Sequence, residues 1–392
     1  MLKYAAMETK AKQLTLFEAA CLIAGIGIGG GIMAVPFLAS LNGIGTLIAV
    51  MVAAYFLSLL LHLMIAETFL RDGGTRQLLE LFSKYVFRGR SNAALTWLFF
   101  TLLALGFISN LAGYVAGCGE TLAALTGVPL RGGHLLTYAV AAGVVFFGLK
   151  AIGISEKIAI TGMGVLFIAL GIGTAGADFK PLPVAIGGPK EVIALYGMVM
   201  FGFACFFSIP QAVEGLQYNR RLVPWSVALG ILINFVLVLV ISLLSMLVSD
   251  EVTEIATLGW GESIGQWALA AGSVFTLLAM LTSYWAVSYA MAVIVMEQLK
   301  LNYRLAWLIA TLPSLVLTLT GVTGFLGFMR ITGGAIAVML AVMVVPALRN
   351  CRALHPDAEP GFDIGVFGGI VFQLIVVAAY ILMAAGSVVP VR

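Results

Sequence analysis

The sequence predicts an all-α polytopic membrane protein with 11 transmembrane helices. Three observations carry that expectation. The chain of 392 residues is 61% hydrophobic and only 10% charged, whereas a soluble domain averages about 25% charged residues. Apolar runs of about 20 residues, the length that spans a bilayer, recur from one end to the other. The basic residues are also distributed unevenly between alternate loops. A mean hydropathy of +1.09 fits the same class and excludes an ordinary water-soluble enzyme.

The basic N-terminus, MLKYAAMETKAKQ, is followed by no small-residue cleavage site, and the apolar run from Leu16 is too long for a signal-peptide core. It is read as the first spanning helix. Apolar runs bounded by charge, glycine and proline place the helices at 16–40, 44–68, 93–118, 134–149, 157–176, 191–213, 225–248, 264–297, 305–320, 325–348 and 366–389. Residues 1–15 form a cytoplasmic N-terminus. Cys21, Cys118, Cys205 and Cys351 are scattered and mostly lie within apolar runs, so neither a disulfide framework nor a metal site is expected. A net charge of +3 points to no nucleic-acid partner.

With the N-terminus inside, the cytoplasmic segments hold 16 basic residues and the outer ones hold Arg131, Lys180, Lys190 and Arg392. Arg330, near the outer end of a helix, is the twenty-first. This bias follows the positive-inside rule and puts the C-terminus outside.

The first helix contains GIGIGGGIMAVPF, Gly25 to Phe37, with five glycines and a proline in 13 residues. Each glycine costs roughly 1 kcal/mol relative to alanine, and an interior proline about 3. The sixth helix has a counterpart in MFGFACFFSIPQ, Met200 to Gln211. Pro36 and Pro210 are 174 residues apart; Glu120 and Glu297, which end the third and eighth helices, are 177 apart. Two five-helix units at a near-constant offset, 16–176 and 191–348, form an internal repeat with an eleventh helix at 366–389. Five is odd, so the second unit enters from the opposite side, as in secondary transporters. Small residues also serve close helix packing; their recurrence at matched positions favours two functional breaks.

A helix unwound in mid-membrane leaves backbone groups without partners, at several kcal/mol each. The N–H groups near Gly29, Gly30 and Gly31 favour an anion such as a carboxylate, and the freed carbonyls favour a cation. An amino acid zwitterion offers both.

GIGIGGGIMAVPF, MFGFACFFSIPQAVEGL, GLKAIGISEKIAI and LTSYWAVSYAM are similar to motifs of the amino acid/auxin and hydroxy/aromatic amino acid permeases of the amino acid–polyamine–organocation superfamily. The resemblance covers essentially the whole chain. It implies the LeuT-like 5+5 inverted repeat plus one extra helix, with substrate near the bilayer midplane. Carried over, it puts a substrate carboxylate at the amides of Gly29 and Gly30 and the amino group at carbonyls around Phe203 and Ala204. Phe203, Phe206 and Phe207 would line a side-chain pocket, with Asn110 and Tyr114 facing the same cavity; each also has a reading as plain helix packing. Thr282 and Ser283 fall on a second sodium site of that fold, completed by the carbonyls of Ala24, Gly27 and Ala279. Gly31 and Ala34 replace an asparagine of its first sodium site and an outer-gate arginine. The middle of helix five has no lysine to replace sodium, Lys157 lying at its start. Sodium is therefore favoured over protons as the coupling ion, and no cofactor is expected.

His62 and Glu67, in the inner half of helix two, and Glu18, at the inner end of helix one, are candidates for gating or proton relay, Glu18 and Glu67 also being near enough to interfacial water to be merely solvated. An intramembrane enzyme is disfavoured by the absence of HExxH, GxSxG or a spaced aspartate pair. A channel lacks any signal of oligomeric symmetry. The expected function is secondary transport of a neutral hydrophobic amino acid, aromatic ones included, across a cell (inner) membrane by sodium- or proton-coupled symport. The alternatives are a transporter-like nutrient sensor and an amino acid exchanger without ion coupling. The expected partners are the amino acid and the lipid bilayer; the sequence leaves the oligomeric state open.

Overall fold

Thr15 and Glu18 start the first helix as a capping box. The Thr15 hydroxyl accepts from the Glu18 N–H at 3.2 Å, and the Glu18 carboxylate accepts from the Thr15 N–H at 2.8 Å. Glu18, a candidate for gating or proton relay, thus serves as a helix cap. The helix α1 (Leu16–Gly27) stops in the glycine-rich stretch and the chain restarts as α2 (Gly30–Ser40), bent from it by 64°. The computed structural model describes residues 14–73, 77–87 and 92–390. The N-terminal segment, apart from Leu14 and Thr15, lies outside the described residues. So do Lys3, Lys10, Lys12, Arg76, Arg88, Arg90 and Arg392, which entered the charge count.

The chain continues through α3 (Gly43–Asp72), α4 (Leu78–Tyr85), α5 (Asn92–Thr126), α6 (Leu130–Phe146) and α7 (Leu149–Ala175). A second broken element follows: α8 (Pro189–Gly202), an unwound stretch with a short 3-10 turn at 206–208, and α9 (Ile209–Gly215). Then come α10 (Val223–Val248), α11 (Ala256–Ile264), α12 (Gln266–Leu299), α13 (Tyr303–Thr320), α14 (Phe325–Leu354) and α15 (Ile370–Val388). Among the described residues nine helices, counting α8 with α9, are long and apolar enough to cross a membrane, and the bent pair α1–α2 makes a tenth. The helix α6 is apolar but has only 17 residues; it is the eleventh of the expected spans.

Two helices were not expected. The eight-residue α4 and nine-residue α11 lie in connections, too short for a periodic pattern to stand out. The eighth span starts at Gln266 rather than 264, because Gly265 takes φ +135° and separates α11 from α12. The fifth starts at Leu149 rather than 157, after Gly148 at φ +83°. Only glycine enters these conformations without a Cβ penalty.

The fold is all-α and LeuT-like, with two broken elements and a last helix, α15. The two broken elements lie against each other, α2 on α8, and are flanked by α3 and α10. A second group, α5, α6, α12 and α13, packs mutually, while α14 bridges α3 and α5. The side of the membrane on which α1 begins is the N-terminal face here.

At that face α3, α14 and the segment before α15 are joined by charge. The fully buried Glu67 takes Arg71 Nε at 2.6 Å, Arg352 Nη2 at 2.7 Å and the Ile364 N–H at 3.1 Å. Asp363 completes the cluster by pairing with both arginines. A buried carboxylate is tolerated only when its lone pairs are filled in this way. Glu67→Gln leaves two facing arginines short of a counter-charge. It should lower stability by on the order of 3 kcal/mol, read as a lower melting temperature of the detergent-solubilised protein; an unchanged melting temperature would reduce the cluster to decoration.

Candidate functional site

The first break is narrow because its glycines are spent on two different neighbours. A Cβ on Gly31 would stand 2.6 Å from Gly202 Cα, and one on Gly27 would stand 2.7 Å from the Gly202 carbonyl oxygen. Gly27 and Gly31 therefore let the backbones of the two broken elements touch; Gly31, expected to bind substrate, faces α8. Gly29 faces elsewhere. Its Cβ would meet the Tyr114 hydroxyl at 2.6 Å and the Ser283 hydroxyl at 2.7 Å. Tyr114 also interacts with the Gly30 backbone and with Asn110 one turn away. The start of α2 has no side-chain cap, so its first N–H groups are the positive end of a helix dipole. Asn110 is 7% exposed and its Oδ1 has no hydrogen-bond partner. Of the expected residues, Gly29, Gly30, Asn110 and Tyr114 come together here, joined by Ser283. A Cβ on Gly30 would point at Met329 Sδ, at 2.2 Å.

The second break uses its groups differently. The Phe203 carbonyl accepts from the Ser58 hydroxyl at 3.1 Å and from the Cys205 N–H at 2.9 Å. Both of its lone pairs are engaged, which argues against Phe203 as the site of a substrate ammonium. Its ring is fully buried and stacks with Phe235 of α10 at 6.3 Å. Ala204 is 8% exposed, and its N–H continues to the Phe201 carbonyl. Cys205 N–H also donates to His62 Nε2 at 3.0 Å, while the Cys205 thiol accepts from Asn234 Nδ2 at 3.1 Å. Asn234 is fully buried against Gly27, with its Oδ1 unpartnered. Sequence reasoning passed over Asn234 and Ser58. An asparagine inside the apolar α10 was the available signal, since burying an amide in hydrocarbon is costly.

Below the breaks a cavity of about 410 Å³ lies toward the N-terminal face. It is lined from α4, α5, α7, the turn at 206–208, α9, α12 and α14. Phe107, Phe206 and Phe207 form its aromatic end at the breaks, with ring separations of 4.9 Å for 107–207 and 4.5 Å for 206–207. Phe107 here takes the place expected for Phe203. Toward the other face the packing is tight. Met329 and Phe325 of α14 press on Gly113 and Gly117 of α5 so closely that a Cβ on Gly113 would stand 2.0 Å from Met329 and one on Gly117 2.7 Å from Phe325, with Phe328 at 3.1 Å from the first. The start of α14 is held by two carboxylates, Glu120 on the Phe325 backbone and Glu254 on the Leu326 backbone, as an exposed helix N-terminus favours.

The candidate sodium ligands come from two helices, Ala24 and Gly27 from α1 and Ala279, Thr282 and Ser283 from α12. Thr282 and Ser283 both donate to the Ala279 carbonyl, at 3.0 and 3.1 Å, and Ser283 also interacts with Tyr114. The Ala24 carbonyl accepts from the Ile28 N–H at 3.2 Å, at the last turn of α1 before Gly27.

No family model and no curated protein sequence matches the chain. Its fold is similar to the solved structure of Mhp1, a nucleobase–cation–symport-1 family transporter, in a closed conformation with bromovinylhydantoin bound. The TM-score is 0.60 at 13% identity, covering 96% of this chain and 91% of that one.

The glycine contacts separate by mutation. Gly31→Ala drives a methyl into backbone and should destabilise by about 1–3 kcal/mol, whereas Gly30→Ala meets the flexible end of Met329 and should cost less. Melting temperatures of the two variants in detergent decide it; the reverse order would contradict the contact between α2 and α8.

Proposed function

We propose that the chain is a secondary active transporter that carries a neutral hydrophobic amino acid by alternating access. The observation that carries this reading is the open N-terminus of α2, set among Gly29, Tyr114, Ser283 and the unpartnered Asn110 Oδ1. A carboxylate suits the α2 amides, and an ammonium suits the Asn110 oxygen. Among the described residues between the breaks no fixed charge is available to pair with a charged side chain, and Phe107, Phe206 and Phe207 offer apolar and aromatic surface. The Mhp1-like fold supports transport, since Mhp1 is a nucleobase–cation–symport-1 family transporter.

On this reading the protein sits in a cell (inner) membrane with its N-terminal face cytoplasmic. The cavity is then the inward path, and the packing of α14 on α5 closes the outward one. The coupling ion is sodium, held by Thr282, Ser283 and the carbonyls of Ala24, Gly27 and Ala279, with protons as the alternative. An all-oxygen shell suits a hard monovalent cation.

Competition for uptake into proteoliposomes tests the substrate. Leucine and tryptophan should compete and lysine and glutamate should not; preference for either charged amino acid defeats the assignment. An imposed sodium gradient should drive accumulation, and Thr282→Ala with Ser283→Ala should abolish it. Accumulation driven by protons alone, untouched by losing both hydroxyls, removes the sodium site.

A further inference from the structure

The second break is fastened to α3 by two residues one turn apart. Ser58 donates to the Phe203 carbonyl at 3.1 Å, and His62 Nε2 accepts the Cys205 N–H at 3.0 Å. The other nitrogen of His62, Nδ1, lies 2.7 Å from the Ser58 carbonyl, which can only accept. These two contacts dictate the neutral tautomer with hydrogen on Nδ1 and a lone pair on Nε2. His62 is fully buried. Its ring lies 6.1 Å from that of Phe206, which lines the cavity, so one aromatic ring separates it from that space.

We infer that His62 is a proton-binding positioning residue that holds the second break while neutral and releases it when protonated. The inference rests on the transporter reading and adds a proton to it, whatever ion occupies the first break. A proton reaching Nε2 from water in the cavity bonds to the lone pair and leaves an imidazolium. Its Nδ1–H still donates to Ser58, but Nε2–H now faces the Cys205 N–H, donor against donor. Cys205 N–H keeps only its bent bond to the Phe203 carbonyl, and of the two ties between the unwound stretch and α3 only the Ser58 bond remains.

Among the described residues, the groups facing His62 do not supply a counter-charge. Cys205 lies on the unwound stretch, Tyr380 on α15 faces Ser58 and Cys205, and Tyr196 on α8 stands beyond Tyr380. On α3 itself Glu67 is five residues along and held by Arg71 and Arg352 of α14. Neither α2 nor α10 contains an ionisable side chain, and Glu214 on α9 is exposed. The imidazolium would stand alone in apolar surroundings, which favours movement of the break once the proton is bound.

The test reads the break without any substrate. In protein whose Cys21, Cys118 and Cys351 are replaced by alanine, the rate of Cys205 alkylation by N-ethylmaleimide in liposomes is compared with that of His62→Gln and His62→Ala at matched pH. Glutamine keeps an acceptor near Nε2 and does not titrate, so dividing by its rate cancels the ionisation of the thiol. The wild-type to His62→Gln ratio should be near one at pH 8 and rise about tenfold at pH 5, while His62→Ala should react faster than wild type at pH 8. A ratio that stays near one at both pH values overturns the proposal, and so does the absence of reaction in all three proteins. If the ratio rises but no amino acid is taken up, the transport reading fails alone; if uptake is present and the ratio is flat, the role of His62 fails alone.

Discussion

The constraint on which the fold depends is that hydrocarbon offers no hydrogen bonds. Every N–H and C=O released when a spanning helix unwinds must find a partner inside the protein or in what it binds. Two such interruptions lie side by side, and the surrounding residues read as responses to them. Ser58 and His62 on α3 and Asn234 on α10 reach the second; Tyr114 on α5 and Ser283 on α12 reach the first. The two breaks are unequally satisfied. The second has its Phe203 carbonyl doubly bonded, whereas the first presents a helix start with no N-cap side chain, met by Tyr114 at Gly30, beside an unpartnered amide oxygen. On the proposed reading, that inequality would direct a ligand to the first break.

Charge is arranged to serve the same interior. The cluster around Glu67 ties α3, α14 and the segment before α15 at one face, while Glu120 and Glu254 hold the start of α14 at the other. Both ends of α14 are thereby fastened by ionised or dipolar contacts, and its middle carries the side chains that press on α5. Close glycine contacts fix the two broken elements to each other in a comparable way. Gly27, Gly31 and Gly202 allow backbone to meet backbone, so the pair has the geometry of one body and not of two sliding rods.

The count of spans and the repeat were legible in the sequence because length, hydropathy and a fixed offset between prolines are properties of the chain alone. The breaks were legible for the same reason, glycine and proline being poor helix formers wherever they lie. What a given residue of a break touches was not. Gly29 and Gly31 are two residues apart in one motif, yet one faces the Tyr114 and Ser283 hydroxyls and the other the α8 backbone. Phe203 and Phe207 likewise look equivalent in sequence, but one stacks on α10 and the other closes the cavity. Helices apolar on every side give no periodic hint of which face meets which neighbour, and that is where the sequence reading was weakest. His62 was visible as an anomalous residue; its partner on Cys205 was not.

The unequal lengths of α5 and α6, adjacent and antiparallel, bear on the surrounding lipid. At about 1.5 Å per residue, the 35 residues of α5 run about 52 Å and the 17 of α6 about 26 Å. A hydrocarbon core is about 30 Å thick, so the longer helix overshoots it and the shorter one falls short. Bilayer in contact with α6 must therefore thin locally, or the aromatic pair Phe146 and Phe147 at its end must sit at the level of the headgroups. Where the bilayer thins beside α6, membranes of smaller thickness accommodate that flank at lower elastic cost.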